Sequence, residues 1–179
     1  SKGSGTFYAD AESIVYAPLD VESSSALDAV VAATPGLFEL VSNNGTRDVR
    51  MEGLTFAHTD VDFEACFAGP CALQSATFVS TAAVHFQFST NISLHRCTVE
   101  HVGGYGVNFG AGVRDARFSH GRIEDLAAGG VRIGEASGYE NGTEFRTARN
   151  VTVTDTVIRD GGNVFRAGMG VLMQAAADC

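Results

Sequence analysis

Apolar residues in this chain recur in short alternating runs, and the same run returns along most of its length. The stretch Asp48 to Phe56 aligns with Asn91 to Val99, Asp115 to Ile123 and Asn150 to Ile158. In that alignment Val49, Ile92, Ala116 and Val151 form one apolar column, and Met51, Leu94, Phe118 and Val153 form a second. Phe56, Val99, Ile123 and Ile158 form a third. A further run follows in the same order: Val84-His85-Phe86, Val107-Asn108-Phe109, Val131-Arg132-Ile133 and Val171-Leu172-Met173. Alternation places the first and third residues of each triplet on one face and the middle one on the other.

The columns are offset by 43, 24 and 35 residues, so the bare repeat is about two dozen residues with two insertions. Short alternating strands at that period, joined by Gly and Asn corners, predict an all-β right-handed parallel β-helix of about five coils. Hairpin turns every eight to twelve residues, which a sandwich needs, are missing, and so are the long amphipathic helices of a doubly wound α/β fold. Only Ser23 to Ala33 reads as a plausible helix. Residues 1–37 are expected to form an N-terminal cap and lead-in, with Gly5 to Asp10 and Ser13 to Pro18 as a hairpin over the first coil. Residues 38–179 are expected to form the coils. Gly170 to Gln174 begins a fresh coil, so the expectation is a longer parent protein or another chain over the last coil, with self-association through that open edge.

Composition sharpens this picture. With 45% apolar residues and 21 glycines in 179, the chain can bury a core and turn tight corners. A net charge of -9 repels polyphosphate backbones and anionic headgroups, so neither nucleic acid nor membrane is an expected partner. Cys66 and Cys71 enclose a short turn-rich loop suited to a local disulfide, while Cys97 and Cys179 are left without an assigned pairing; a zinc site would need more ligands nearby. Sequons occur at Asn44, Asn91, Asn141 and Asn150, and those at Asn44 and Asn141 read as exposed turns open to glycosylation. Together these features predict a secreted protein.

Three polar columns follow from the same alignment. Asp48, Asn91, Asp115 and Asn150 precede the repeat, and Asn and Asp tolerate the left-handed backbone of a tight corner, so they predict a hydrogen-bonded ladder. Two residues beyond the third apolar column lie His58, His101, Asp125 and Asp160. On adjacent coils ~4.8 Å apart, Asp125 and Asp160 would form a close carboxylate pair, the equipment of glycoside hydrolysis. The middle residues His85, Asn108 and Arg132 form a third row expected to face outward, where they could bind sugar hydroxyls or a carboxylate. Twelve Phe and no Trp point to stacked core rings at Phe86, Phe88 and Phe109, and remove the commonest sugar-stacking platform.

The runs Gly5-Thr6-Phe7-Tyr8, Val15-Tyr16-Ala17-Pro18 and Met51 to Thr59 resemble the opening of secreted right-handed β-helix proteins of the pectate-lyase-like superfamily. So do Thr98 to Gly106, Asp125 to Gly134 and Ile158 to Gly162. The resemblance is nearest to the glycoside hydrolase branch that includes fucosidases and xylan-acting enzymes, and it spans nearly the whole chain. It implies a polysaccharide or oligosaccharide substrate, no cofactor, and a catalytic Asp pair on neighbouring coils, to which Asp125 and Asp160 correspond. His58, His85, His101, Asn108 and Arg132 would bind sugar. Members of that branch continue with further coils and usually an additional β-rich domain. Two alternatives stand beside hydrolysis: a polysaccharide lyase using Arg132 as base with Ca²⁺ held by acidic residues, and a non-catalytic extracellular scaffold.

Overall fold

The computed structural model describes residues 6–9, 13–19, 29–34, 36–41, 46–61, 74–79, 81–135 and 146–179. The chain divides into two compact units, Ser1–Val31 and Ala32–Cys179. In the first, β1 (Thr6–Ala9) and β2 (Ile14–Ala17) pair antiparallel as the expected hairpin, with Phe7 opposite Tyr16 and Tyr8 opposite Val15. The expected helix does not form over 29–33, which is irregular; the rest of that segment lies outside the described residues.

The second unit is a right-handed parallel β-helix. Its first coil is β3 (Phe38–Val41), β4 (Arg47–Glu52) and β5 (Thr55–Ala57). The second is β6 (Ala82–Gln87), β7 (Thr90–His95) and β8 (Thr98–Val102). The third is β9 (Tyr105–Phe109), β10 (Arg114–Ser119) and β11 (Arg122–Leu126). The fourth is β12 (Val131–Ile133), β13 (Ala148–Thr154) and β14 (Val157–Arg159), and a fifth opens with β15 (Val171–Met173) and β16 (Ala176–Ala177). Like strands stack into three parallel sheets, ordered β15-β12-β9-β6-β3, β16-β13-β10-β7-β4 and β14-β11-β8-β5.

Every apolar column read from the alignment is a stack of paired residues. Val49 pairs with Ile92, Ile92 with Ala116, and Ala116 with Val151. Phe56, Val99, Ile123 and Ile158 pair in turn, as do Val84, Val107, Val131 and Val171. Their side chains fill the interior: Leu94, Phe118, Ile123, Val107 and Phe86 have no exposed surface. Burying such side chains supplies about 1.5–3 kcal/mol each, the main force holding coil on coil. Phe38, Phe86 and Phe109 stack down the core, with Phe86 and Phe109 at 5.7 Å and nearly parallel. Phe88 departs from the expected stack. Its backbone is left-handed, its ring is half-buried, and the Arg146 guanidinium lies 5.7 Å over it.

The corners explain why the register is so strict. Asp48, Asn91, Asp115 and Asn150 all have left-handed φ, at 63°, 58°, 54° and 52°, a region that costs other L-residues about 1–2 kcal/mol. Asn91 Nδ2 donates to Asp48 Oδ1 at 2.6 Å, and Asn150 Nδ2 donates to Asp115 Oδ1 at 2.7 Å. In the corner between β8 and β9, a Cβ on Gly103 would lie 1.9 Å from the Asp60 carbonyl oxygen. Only glycine lets the neighbouring backbone approach that closely. Replacing Asn150 by Ala should lower stability by about 1–3 kcal/mol, through the lost bond to Asp115 and the left-handed backbone. Asn150→Gly should recover the backbone share. Urea unfolding checks this, and equal midpoints for Ala and Gly would show that the corner geometry contributes nothing.

Candidate functional site: a His–Asp corner on the helix

A left-handed residue falls at or just beyond the C-terminal end of β5, β8, β11 and β14. His58, His101, Asp125 and Asp160 have φ of 65°, 53°, 52° and 52°. Because Glu124 pairs with both Glu100 and Arg159, the residues that follow them, His101, Asp125 and Asp160, fall on three successive coils. All four residues of the column are exposed, while Val99, Val102, Ile123 and Leu126 of the same strands are buried.

His101 and Asp125 meet directly, with His101 Nδ1 2.6 Å from Asp125 Oδ2. His58 stacks on His101 with ring centroids 5.1 Å apart and planes 8° from parallel. The other Asp125 oxygen, Oδ1, accepts a 2.8 Å bond from Asn163 Nδ2, which also donates to the Asp160 carbonyl at 3.2 Å. Asp125 is therefore held at both oxygens, while the Asp160 carboxylate, 69% exposed, has Arg159 Nε at 3.6 Å. With Nδ1 turned to the carboxylate, the other ring nitrogen of His101, Nε2, points away from Asp125. Beside this column, Arg159 Nε bonds Glu124 at 2.5 Å and holds its carboxyl below the usual range.

Asn163 is absent from the sequence reading. It sits in the connection between β14 and β15, outside the repeat, and no periodic signal marks it. A second cluster was legible but not read: Gly53, Arg96, His120 and Asp155 keep the offsets 43, 24 and 35 and share left-handed φ of 67°, 54°, 55° and 51°. There His95 and His120 meet edge to face at 5.1 Å, and His95 Nδ1 lies 3.1 Å from Ser119 Oγ.

The row His85, Asn108 and Arg132 does lie on the outer face, paired rung to rung, but it does not face solvent. Asn108 is 2% and Arg132 6% exposed. A second apolar layer covers this sheet face: Ala76 and Val79 from the 74–79 turn pack with Tyr105, Ala127, Ala128 and Phe165. Tyr105 Oη donates to the Ser75 carbonyl at 2.5 Å, and Arg132 Nη1 donates to the Val79 carbonyl at 3.1 Å. The expectation of an open groove at this row is corrected: alternation fixes which side of a strand a residue takes, not whether another segment folds over that side. Burial lowers the pKa of His85 and of Arg132, and raises that of Tyr105. As the lyase base, Arg132 would have to be reached by substrate beneath this layer. Among the described residues no group of three or more His, Cys, Asp or Glu side chains is placed to share one metal ion, so no Ca²⁺-dependent step is derived.

Cys66, Cys71, Asn44 and Asn141 lie outside the described residues. Cys97 is a free thiol in the core, and Cys179 is free and exposed. Comparison with protein-family models, with curated proteins and with solved structures finds no match. Fold and site together define the class: a parallel β-helix carrying an exposed His–Asp corner.

Because burial depresses the His85 pKa below 6.5, the unfolded chain protonates first as pH falls. His85 therefore contributes stability above about pH 6.5 that is lost as pH drops through its folded value. A His85→Gln protein should lose less stability than the parent between neutral and mildly acidic pH. Parallel stability–pH curves from urea titrations would contradict the burial of a neutral imidazole.

Proposed function

We propose that this chain is a secreted carbohydrate-active protein that hydrolyses glycosidic bonds, and that it belongs with the glycoside hydrolase branch of the pectate-lyase-like superfamily. One observation carries the reading: the exposed column in which His101, Asp125 and Asn163 are hydrogen-bonded and Asp160 occupies the next coil. Hydrolysis needs two carboxyl groups across one bond, one to protonate the leaving oxygen and one to attack the anomeric carbon or activate water. Asp125 and Asp160 are the pair. Asn163 and His101 fix the Asp125 carboxylate, His101 exchanges protons with it, and His58 supports the imidazole by stacking. Outward exposure at a corner lets a chain-like substrate cross the site without threading a closed pocket.

Asp125→Asn and Asp160→Asn should each reduce glycosidase turnover by at least about a hundredfold, the share general acid–base catalysis contributes. Unfolding midpoints should stay near the parent's, because Asn also tolerates the left-handed corner. Release of reducing ends from a panel of polysaccharides is the measurement, and full activity in both variants would refute the assignment.

An apolar hollow at the last coil favours a second reading, a self-associating module. It has about 480 Å³ and is lined by Ile133, Val151, Val153, Ile158, Val171 and Met173. Val171 and Met173 are nearly half exposed. Under this reading the mass from light scattering rises with concentration and Met173→Glu abolishes the rise; a constant monomer mass removes it.

A further inference from the structure

A shallow groove of about 300 Å³ crosses the outer face of the β4-β7-β10-β13-β16 sheet, a different sheet from the one that carries Asp125. Its floor is Ser93, Arg117 and Thr152, which pair rung to rung across β7, β10 and β13. Its rim is the corner column of Asn91, Asp115 and Asn150. Bonds in that column run in pairs, Asn91 to Asp48 and Asn150 to Asp115, and none joins Asn91 to Asp115. At the break, among the described residues, the Asn91 amide oxygen and one Asp115 carboxylate oxygen have no hydrogen bond to the protein. Arg117 Nε donates a 3.3 Å bond to Thr152 Oγ1, and the exposed Arg117 side chain lines the groove.

We propose that this groove binds a linear, uncharged glycan lying along the helix axis with one sugar residue per coil. Rungs repeat at ~4.8 Å, close to the length of one pyranose in an extended chain. Hydroxyl groups both donate and accept, which suits a lining that alternates open acceptors at Asn91 and Asp115 with donors at Ser93 and Arg117. The net charge of -9 disfavours a polyanionic glycan. The lining contains no aromatic ring, so hydrogen bonds and not stacking set the orientation of the chain. The inference rests on the carbohydrate-active reading and gives it a substrate class and a second contact surface.

The test titrates the Asp125→Asn protein with xylohexaose, cellohexaose and mannohexaose, and with a galacturonate hexamer as charged control, following backbone amides by NMR. A neutral hexamer should shift Ser93, Asp115, Arg117 and Thr152, and the charged one should not. Adding Arg117→Ala should weaken binding about ten- to a hundredfold, the loss expected for hydrogen bonds to a charged group. Arg117 is exposed, so its unfolding midpoint should not move. The proposal is overturned if no neutral hexamer binds, if the shifts fall only around Asp125, or if Arg117→Ala binds as tightly. Groove binding with no hydrolysis by the unaltered chain would sink the hydrolase and keep the groove; hydrolysis without groove shifts would do the reverse.

Discussion

Parallel stacking in strict register is the constraint on which everything else in this molecule depends. A strand has side-chain period two, so a slip of one residue would send an entire apolar column outward. The chain prevents slips at its corners. Residues with left-handed φ recur at the same place in successive coils, and a residue held in that region cannot trade places with a β-branched neighbour without strain. The Asp48–Asn91 and Asp115–Asn150 bonds then tie the corners of adjacent coils together.

The same device builds both proposed sites. At one corner it lines up His58, His101, Asp125 and Asp160 and turns them out of the sheet; at another it lines up the acids and amides that rim the polar groove. Structure and chemistry share a cause here, because the residues that tolerate left-handed corners best, Asn and Asp, are also hydrogen-bonding and ionisable. A polar column in a β-helix is therefore weak proof of function by itself. What distinguishes the Asp125 corner is that its carboxylate meets an imidazole, His101, on the adjacent coil and accepts from Asn163, which lies outside the repeat.

The outer face of the β15-β12-β9-β6-β3 sheet has the opposite character. Among the described residues, His85 Nε2, Asn108 Oδ1 and Arg132 Nε are buried without hydrogen-bond partners, a costly arrangement. Over Arg132 the cover is the 74–79 turn, whose Val79 carbonyl it bonds and whose Ala76 and Val79 pack with Phe165; both segments lie in insertions between repeats.

Local sequence determined the coils. The apolar columns, their offsets, the ladder and the alignment of Asp125 with Asp160 were all legible, because in a solenoid each residue's neighbours lie at one fixed separation along the chain. The third left-handed column, at Gly53, Arg96, His120 and Asp155, was legible by the same offsets. Tertiary structure alone decided what the insertions do. They obey no period, so nothing in the repeat reveals that one brings Asn163 to Asp125 while another folds over Arg132. Strand alternation says which way a side chain leaves the backbone, and only the packed molecule says what it meets there.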